Sequence, residues 1–327
     1  MMRLPEFPHY MKEASKRQKG QNWFIELLIF FLVYFVVSTA MSFVLLAGMI
    51  AVFLSDRSLL LTFSEAGSPE QVEAFVNRLM ESDPLMLVSF FSDAVMILLV
   101  ILFCVILQKR TVASMGFVKE KMIRHYLAGA GIGFLLFGAA TLLNVLSGSL
   151  TIEGMAKTFS PVMFVLFALA FMVQGMAEEV LCRGYFMVSV GRRYSVITAI
   201  LLNSLVFSLL HLLNPGVSLI AVVNITLIGI VFSLYFLRTG NIWGVGAMHS
   251  VWNFVQGNVF GMEVSGMKLS CTLFTSAADP EKTFWNGGSF GAEGGFSVTV
   301  VCLIFILLLL IIPKKKAYSE NENAAEA

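Results

Sequence analysis

Apolar residues fall in eight long runs, at about 23–54, 85–107, 126–148, 161–190, 195–213, 217–237, 241–262 and 297–312, with short polar stretches between them. About 20 apolar residues let a helix cross the roughly 30 Å hydrocarbon core of a bilayer. The pattern therefore predicts an all-α polytopic membrane protein of about eight transmembrane helices, the last of them somewhat short. The first run is too long for a signal-peptide core and reads as a signal anchor.

Between the first two runs, Ser68-Pro69-Glu70-Gln71 predicts a short polar helix near 69–82, with serine as N-cap, proline at the first helical position and glutamine three residues after the cap. The segment 263–295 ends in Asn286-Gly287-Gly288-Ser289-Phe290-Gly291-Ala292-Glu293-Gly294-Gly295 and predicts a flexible external loop. No phosphate-binding helix N-terminus follows it. Gly129 and Gly133, and Gly257 and Gly261, have the four-residue spacing that lets helices approach closely.

Composition agrees with the pattern. Of 327 residues 57% are hydrophobic and 13% charged, with a net charge of +1, which gives no field to attract nucleic acid. Cys104, Cys182, Cys271 and Cys302 are scattered and define neither a disulfide framework nor a zinc ribbon. Sixteen lysines and arginines fall on the side of the N-terminus: Arg3, Lys12, Lys16, Arg17, Lys19, Lys109, Arg110, Lys119, Lys121, Arg124, Arg192, Arg193, Arg238 and Lys314 to Lys316. Five fall on the other: Arg57, Arg78, Lys157, Lys268 and Lys282. By the positive-inside rule both termini are expected in the cytoplasm, in a multi-pass protein of a cell membrane, bacterial in character.

Within the fourth run stand Glu178, Glu179 and Arg183. The thirteen Leu, Ile, Phe and Val residues from Val162 to Val190 favour insertion by roughly 4 to 8 kcal/mol in all. Three central charges oppose it by roughly 7 to 11 kcal/mol. The charges must be paired, protonated or turned to a hydrated cavity. Glu179 and Arg183 are i and i+4 in the favourable order, which predicts an ion pair on one helix face. Glu178, about 100° round the helix, is left for base chemistry.

Of four histidines, His211 and His249 lie at depth, each four residues from a second candidate: Phe207 before His211, and Asn253 after His249. Each pair would share a helix face. Estimated depths of roughly 18 Å for Glu178, 24 Å for His211 and 12 Å for His249 overlap once helix tilt is allowed. The depth of His249 and the basic turn Arg192-Arg193 suggest a site open to the cytoplasm. Phe207 is expected to shape the wall beside His211, Gln174 to line the same cavity, and Asn144, Asn203 and Asn224 to bond between helices.

Glu178-Glu179-x-x-x-Arg183, Phe207-x-x-x-His211 and His249-x-x-x-Asn253, in this order and with His211-Leu-Leu-Asn214-Pro215 and Arg238-Thr239-Gly240-Asn241-Ile242-Trp243 beside them, resemble the CAAX-protease and bacteriocin-processing family of intramembrane peptidases. The resemblance implies that Glu178 with His211 activates a water, that His249 and Asn253 stabilise the oxyanion, and that Glu179 and Arg183 support them. It allows metal-free chemistry, so no obligatory metal is expected, and the expected substrate is a hydrophobic or lipidated peptide. A zinc ion on Glu178, His211 and His249 stays open, since these are zinc-ligand types, although no H-E-x-x-H motif is present. The expected division is a cytoplasmic segment 1–22, one membrane-embedded domain 23–312 with a peptidase-like core at about 160–258, and a polar cytoplasmic tail 313–327. A non-catalytic scaffold or bacteriocin-immunity protein and a proton-coupled transporter are the competing classes; no internal repeat supports the last.

Overall fold

The computed structural model describes residues 6–55, 63, 67–80 and 82–312. The predicted tail 313–327 therefore lies outside the described residues, as do Arg3 and Arg57. Each of the eight apolar runs contains a helix. After a short amphipathic helix α1 (His9–Arg17) come α2 (Trp23–Ser55), α3 (Pro69–Met80), α4 (Asp83–Leu102), α5 (Met122–Leu146), α6 (Pro161–Glu179), α7 (Val196–Leu209), α8 (Leu219–Thr239), α9 (Ile242–Phe254) and α10 (Phe296–Ile311). A π-helical segment, Val180–Met187, carries α6 on to Gly191, and another, Val255–Val259, extends α9. Among the described residues, five helices are long and apolar enough to cross a membrane. The helices at α7 and α10 are shorter, 14 and 16 residues.

Caps place the helix starts. Ser160, Ser195 and Ser218 each accept a hydrogen bond from the backbone three residues on, and Asn241 from Trp243 N at 3.0 Å. At α3 the predicted cap is present: Ser68 Oγ accepts from Gln71 N, and Gln71 Oε1 accepts from Gly67 N at 2.8 Å.

Two ends follow from the loops. At one, Arg192 Nη2 meets Glu26 Oε1 at 3.2 Å, Trp23 N donates to the Tyr194 hydroxyl, and Ile242 N donates to Gly116 O at 2.9 Å. These segments are the ones assigned to the cytoplasm. At the other end β1 (Leu150–Met155) pairs antiparallel with β2 (Phe274–Ala278), with Leu150 opposite Ala278 and a bulge between Ile152 and Gly154. The ribbon joins two segments assigned to the outside.

Three expectations need correction. The segment 263–295 is an ordered structure: Gly291, at φ +88, has the Glu263 carbonyl where a Cβ would stand, and Asn286 Nδ2 donates to the carbonyls of Ser149 and Asp279. Glycine here supplies left-handed backbone and close approach. Gly129 and Gly133 do seat α5 against α9, where a Cβ would fall 1.8 Å from Gly244 O and 2.3 Å from Met248 O. Gly257 and Gly261 do not pack helices; Gly257 faces the Leu269 and Val264 side chains, and Gly261 turns the chain at φ +68. Asn203 bonds to Ser233 on α8, and Asn224 to Thr299 on α10, as expected between helices. Asn144 instead accepts locally from Ser149.

Candidate active site

The helix that carries the two carboxylates changes character just after them. From Val180 the hydrogen bonding widens to the π pattern, and Arg110, fully buried, donates to the carbonyls of Gly184 and Tyr185 at 2.7 and 3.2 Å. A π segment leaves carbonyls to be satisfied from outside, and such segments recur beside functional residues. Its position here sets how the side chains of Glu178, Glu179 and Arg183 fan out.

Glu179 and Arg183 are wholly buried, and Arg183 Nη1 donates to Glu179 Oε1 at 2.7 Å. The predicted ion pair is present, and it has a third member. His249 Nδ1 lies 2.9 Å from the same Glu179 oxygen. An ionised carboxylate only accepts, so that proton belongs to the ring and His249 Nε2 is turned away, 3.8 Å from Glu178 Oε2. Arg183 also donates to Gly229 O at 3.1 Å and lies flat against Phe207, its Cζ 4.4 Å from the ring centroid. This cation–π contact locks a guanidinium that solvent does not reach.

Glu178 is in a different setting. Gln174 Nε2 donates to its Oε1 at 2.5 Å, and Gln174 Oε1 in turn accepts from Asn253 Nδ2 at 3.1 Å. Oε2 of Glu178 has no hydrogen-bond partner among the described residues. The carboxylate faces a cavity of about 370 Å³ whose wall also includes Gln174, Phe207, His211, His249 and Asn253. Residues from three predicted motifs on separate helices thus share one space, while Glu179 and Arg183 stand behind its wall.

His211 reaches the cavity by a route the sequence did not indicate. The fifth run was expected to stay helical to 213, yet α7 stops at Leu209 and His211 sits in the following turn. Pro215 disfavours helix in the residue before it, and Gly216 at φ +72 reverses the chain. The ring still folds back on its motif partner. Its Nδ1 donates to Phe207 O at 2.8 Å, with the two rings 4.9 Å apart. A carbonyl cannot donate, so the lone pair of the neutral ring is on Nε2.

Two acidic cavity residues escaped the sequence reading, Asp93 on α4 and Glu293 before α10. Asp93 carried the same signal as Glu178, a carboxyl inside an apolar run. Glu293 carried none, because its loop looked flexible. The cavity wall also includes Asn214, Pro215, Ser265, Met267 and Glu293, from segments at the end that carries the β ribbon. Arg192 takes no part in it. Among the described residues no three His, Cys, Asp or Glu side chains are gathered as a metal ion would need, the candidate ligands Glu178, His211 and His249 included.

Fold and site together define a polytopic helical membrane protein with ionisable side chains collected in one intramembrane cavity. Residues 159–255 match the family described as Type II CAAX prenyl endopeptidase Rce1-like, which bears out the resemblance carried by the motifs and supports a membrane protease. The match covers α6 to α9; α1 to α5 and everything after 255 lie outside it. No curated protein was found to match the chain.

Proposed function

We propose that the protein is a membrane-embedded endopeptidase that hydrolyses a peptide bond in a hydrophobic or lipid-associated peptide. The observation that carries this reading is Glu178 at the wall of a cavity that His211, His249 and Asn253 also line, with one carboxylate oxygen that no described residue hydrogen-bonds. Gln174 holds one carboxylate oxygen, which leaves the other to take a proton from water. His211, with its lone pair on Nε2, is the second acceptor for that water.

Attack of the water oxygen on the scissile carbonyl carbon gives a tetrahedral intermediate and a protonated Glu178. The oxyanion needs donors fixed in place beforehand, and His249 and Asn253 supply them. Asn253 has a second amide proton beyond the one given to Gln174. Doubly protonated, His249 donates through Nδ1 to Glu179 and through Nε2 to the oxyanion. In that form the charges of Glu178, Glu179, Arg183 and His249 sum to zero, which suits burial. Collapse breaks the C–N bond as Glu178 returns its proton to the leaving nitrogen. No step is routed through a metal; metal content and activity after chelation test for one directly.

Glu178→Gln keeps the bond from Gln174 and removes the base. Comparative peptidomics of cells carrying the wild-type or the Glu178→Gln protein is expected to show cleavage products that vanish in the variant. Identical peptide profiles would sink the peptidase reading.

A further inference from the structure

Among the described residues, the cavity wall carries three carboxyl groups, Asp93 from α4, Glu178 from α6 and Glu293 from the segment before α10, and neither lysine nor arginine. Its ionisable nitrogen groups are the rings of His211 and His249. Arg183 lies beneath the Phe207 ring with its charge committed to Glu179. The lining is therefore acidic, and the surplus is not balanced from within.

Asp93 is 9% exposed, inside an apolar helix, and no described residue donates a hydrogen bond or an ion pair to it. A bare carboxyl at such depth is costly unless something cationic or donating comes to it. Glu293 is held in place. Trp252 Nε1 donates to its Oε1 at 3.2 Å, and Ser265 N and Oγ donate to its Oε2 at 3.1 and 2.6 Å. Asn224 Nδ2 donates to its main-chain carbonyl at 2.8 Å. These neutral donors fix the carboxylate without cancelling its charge. Among the described residues the three acids are not gathered into a cluster of three or more ligands such as a metal ion would require. Charge spread round a cavity suits a cation borne on a long side chain.

We infer that the cavity contains a subsite for a cationic group of the substrate, a lysine or arginine side chain whose ammonium or guanidinium is held by Asp93 and Glu293 while the scissile bond meets Glu178. The inference rests on the peptidase reading above and narrows its substrate class. A peptide whose free carboxylate had to enter the same space would meet like charges, which act as a barrier to the wrong partner.

The test uses full-length Glu178→Gln protein in nanodiscs and fluorescent apolar peptides that carry lysine, norleucine or glutamate at each position in turn. At one position or more, lysine is expected to bind at least about tenfold more tightly than norleucine, the scale of a close buried charge pair. Adding Asp93→Asn or Glu293→Gln is expected to shrink that ratio. Equal binding of lysine and norleucine at every position, or tighter binding of glutamate, overturns the inference. So does a lysine preference unchanged by both substitutions. Cleavage of the same peptides by the wild-type protein separates this inference from the peptidase reading: Glu178-dependent cleavage without cation preference in binding removes the subsite alone, and cation-selective binding without cleavage removes the peptidase alone.

Discussion

Glu178 and Glu179 are neighbours in sequence and opposites in environment, one turned to a cavity and the other sealed between Arg183 and His249. That division was legible because i, i+4 spacing is a property of one helix. The bond from Glu179 to His249 was not, since it joins residues 70 apart, and nothing local encodes which oxygen a distant ring will meet. Asp93 could have been found by applying the burial argument to every span rather than the most polar one. Arg183→Met takes the guanidinium from Glu179, leaves that buried charge with His249 alone, and is expected to destabilise the protein by about 3 to 5 kcal/mol. Thermal unfolding in detergent measures this, and adding Glu179→Leu to Arg183→Met is expected to recover part of the loss.

At the scale of elements, the eight helices were readable because each apolar run needs only length and composition to declare itself. Their ends were less so. α7 stops four residues before the end of its predicted run, where Pro215 and Gly216 overrule an apolar stretch that would otherwise continue. Spacing of glycines likewise gave one true contact and one false one. The pair on α5 meets backbone on α9, whereas Gly257 meets loop side chains. Gly129→Ala must push α5 away from the Gly244 carbonyl, and α9 carries both His249 and Asn253. Overpacking of this kind costs about 1 to 3 kcal/mol. The variant is expected to unfold at lower temperature and to lose activity, while Gly131→Ala, which has open space around it, is expected to match the wild type in both measurements.

For the whole molecule, charge asymmetry predicted which segments share a side, and the structure gathers them at two ends accordingly. The segment 263–295 was misread because runs of glycine look like linker when their φ angles are unknown. Here several of them serve tight turns, and the segment delivers Glu293 to the cavity. The sidedness has a direct check, because the four native cysteines are all buried. Ala277→Cys, at the ribbon end, is expected to react with an impermeant maleimide in intact cells, and Lys119→Cys only after permeabilisation. The opposite pattern would invert the assigned orientation.

The brevity of α7 has a physical consequence of its own. Its 14 residues extend about 21 Å, well short of a hydrocarbon core of roughly 30 Å. For a helix that starts at the cytoplasmic face, the turn that follows, with His211, Asn214 and Pro215, falls at a depth where irregular backbone is tolerated against protein or water but not against lipid tails. A soluble hydrolase is bathed in its second reactant; an enzyme buried in a bilayer has to import it. On the peptidase reading proposed above, the unfinished helix serves as the inlet, a wedge of solvent brought down to His211.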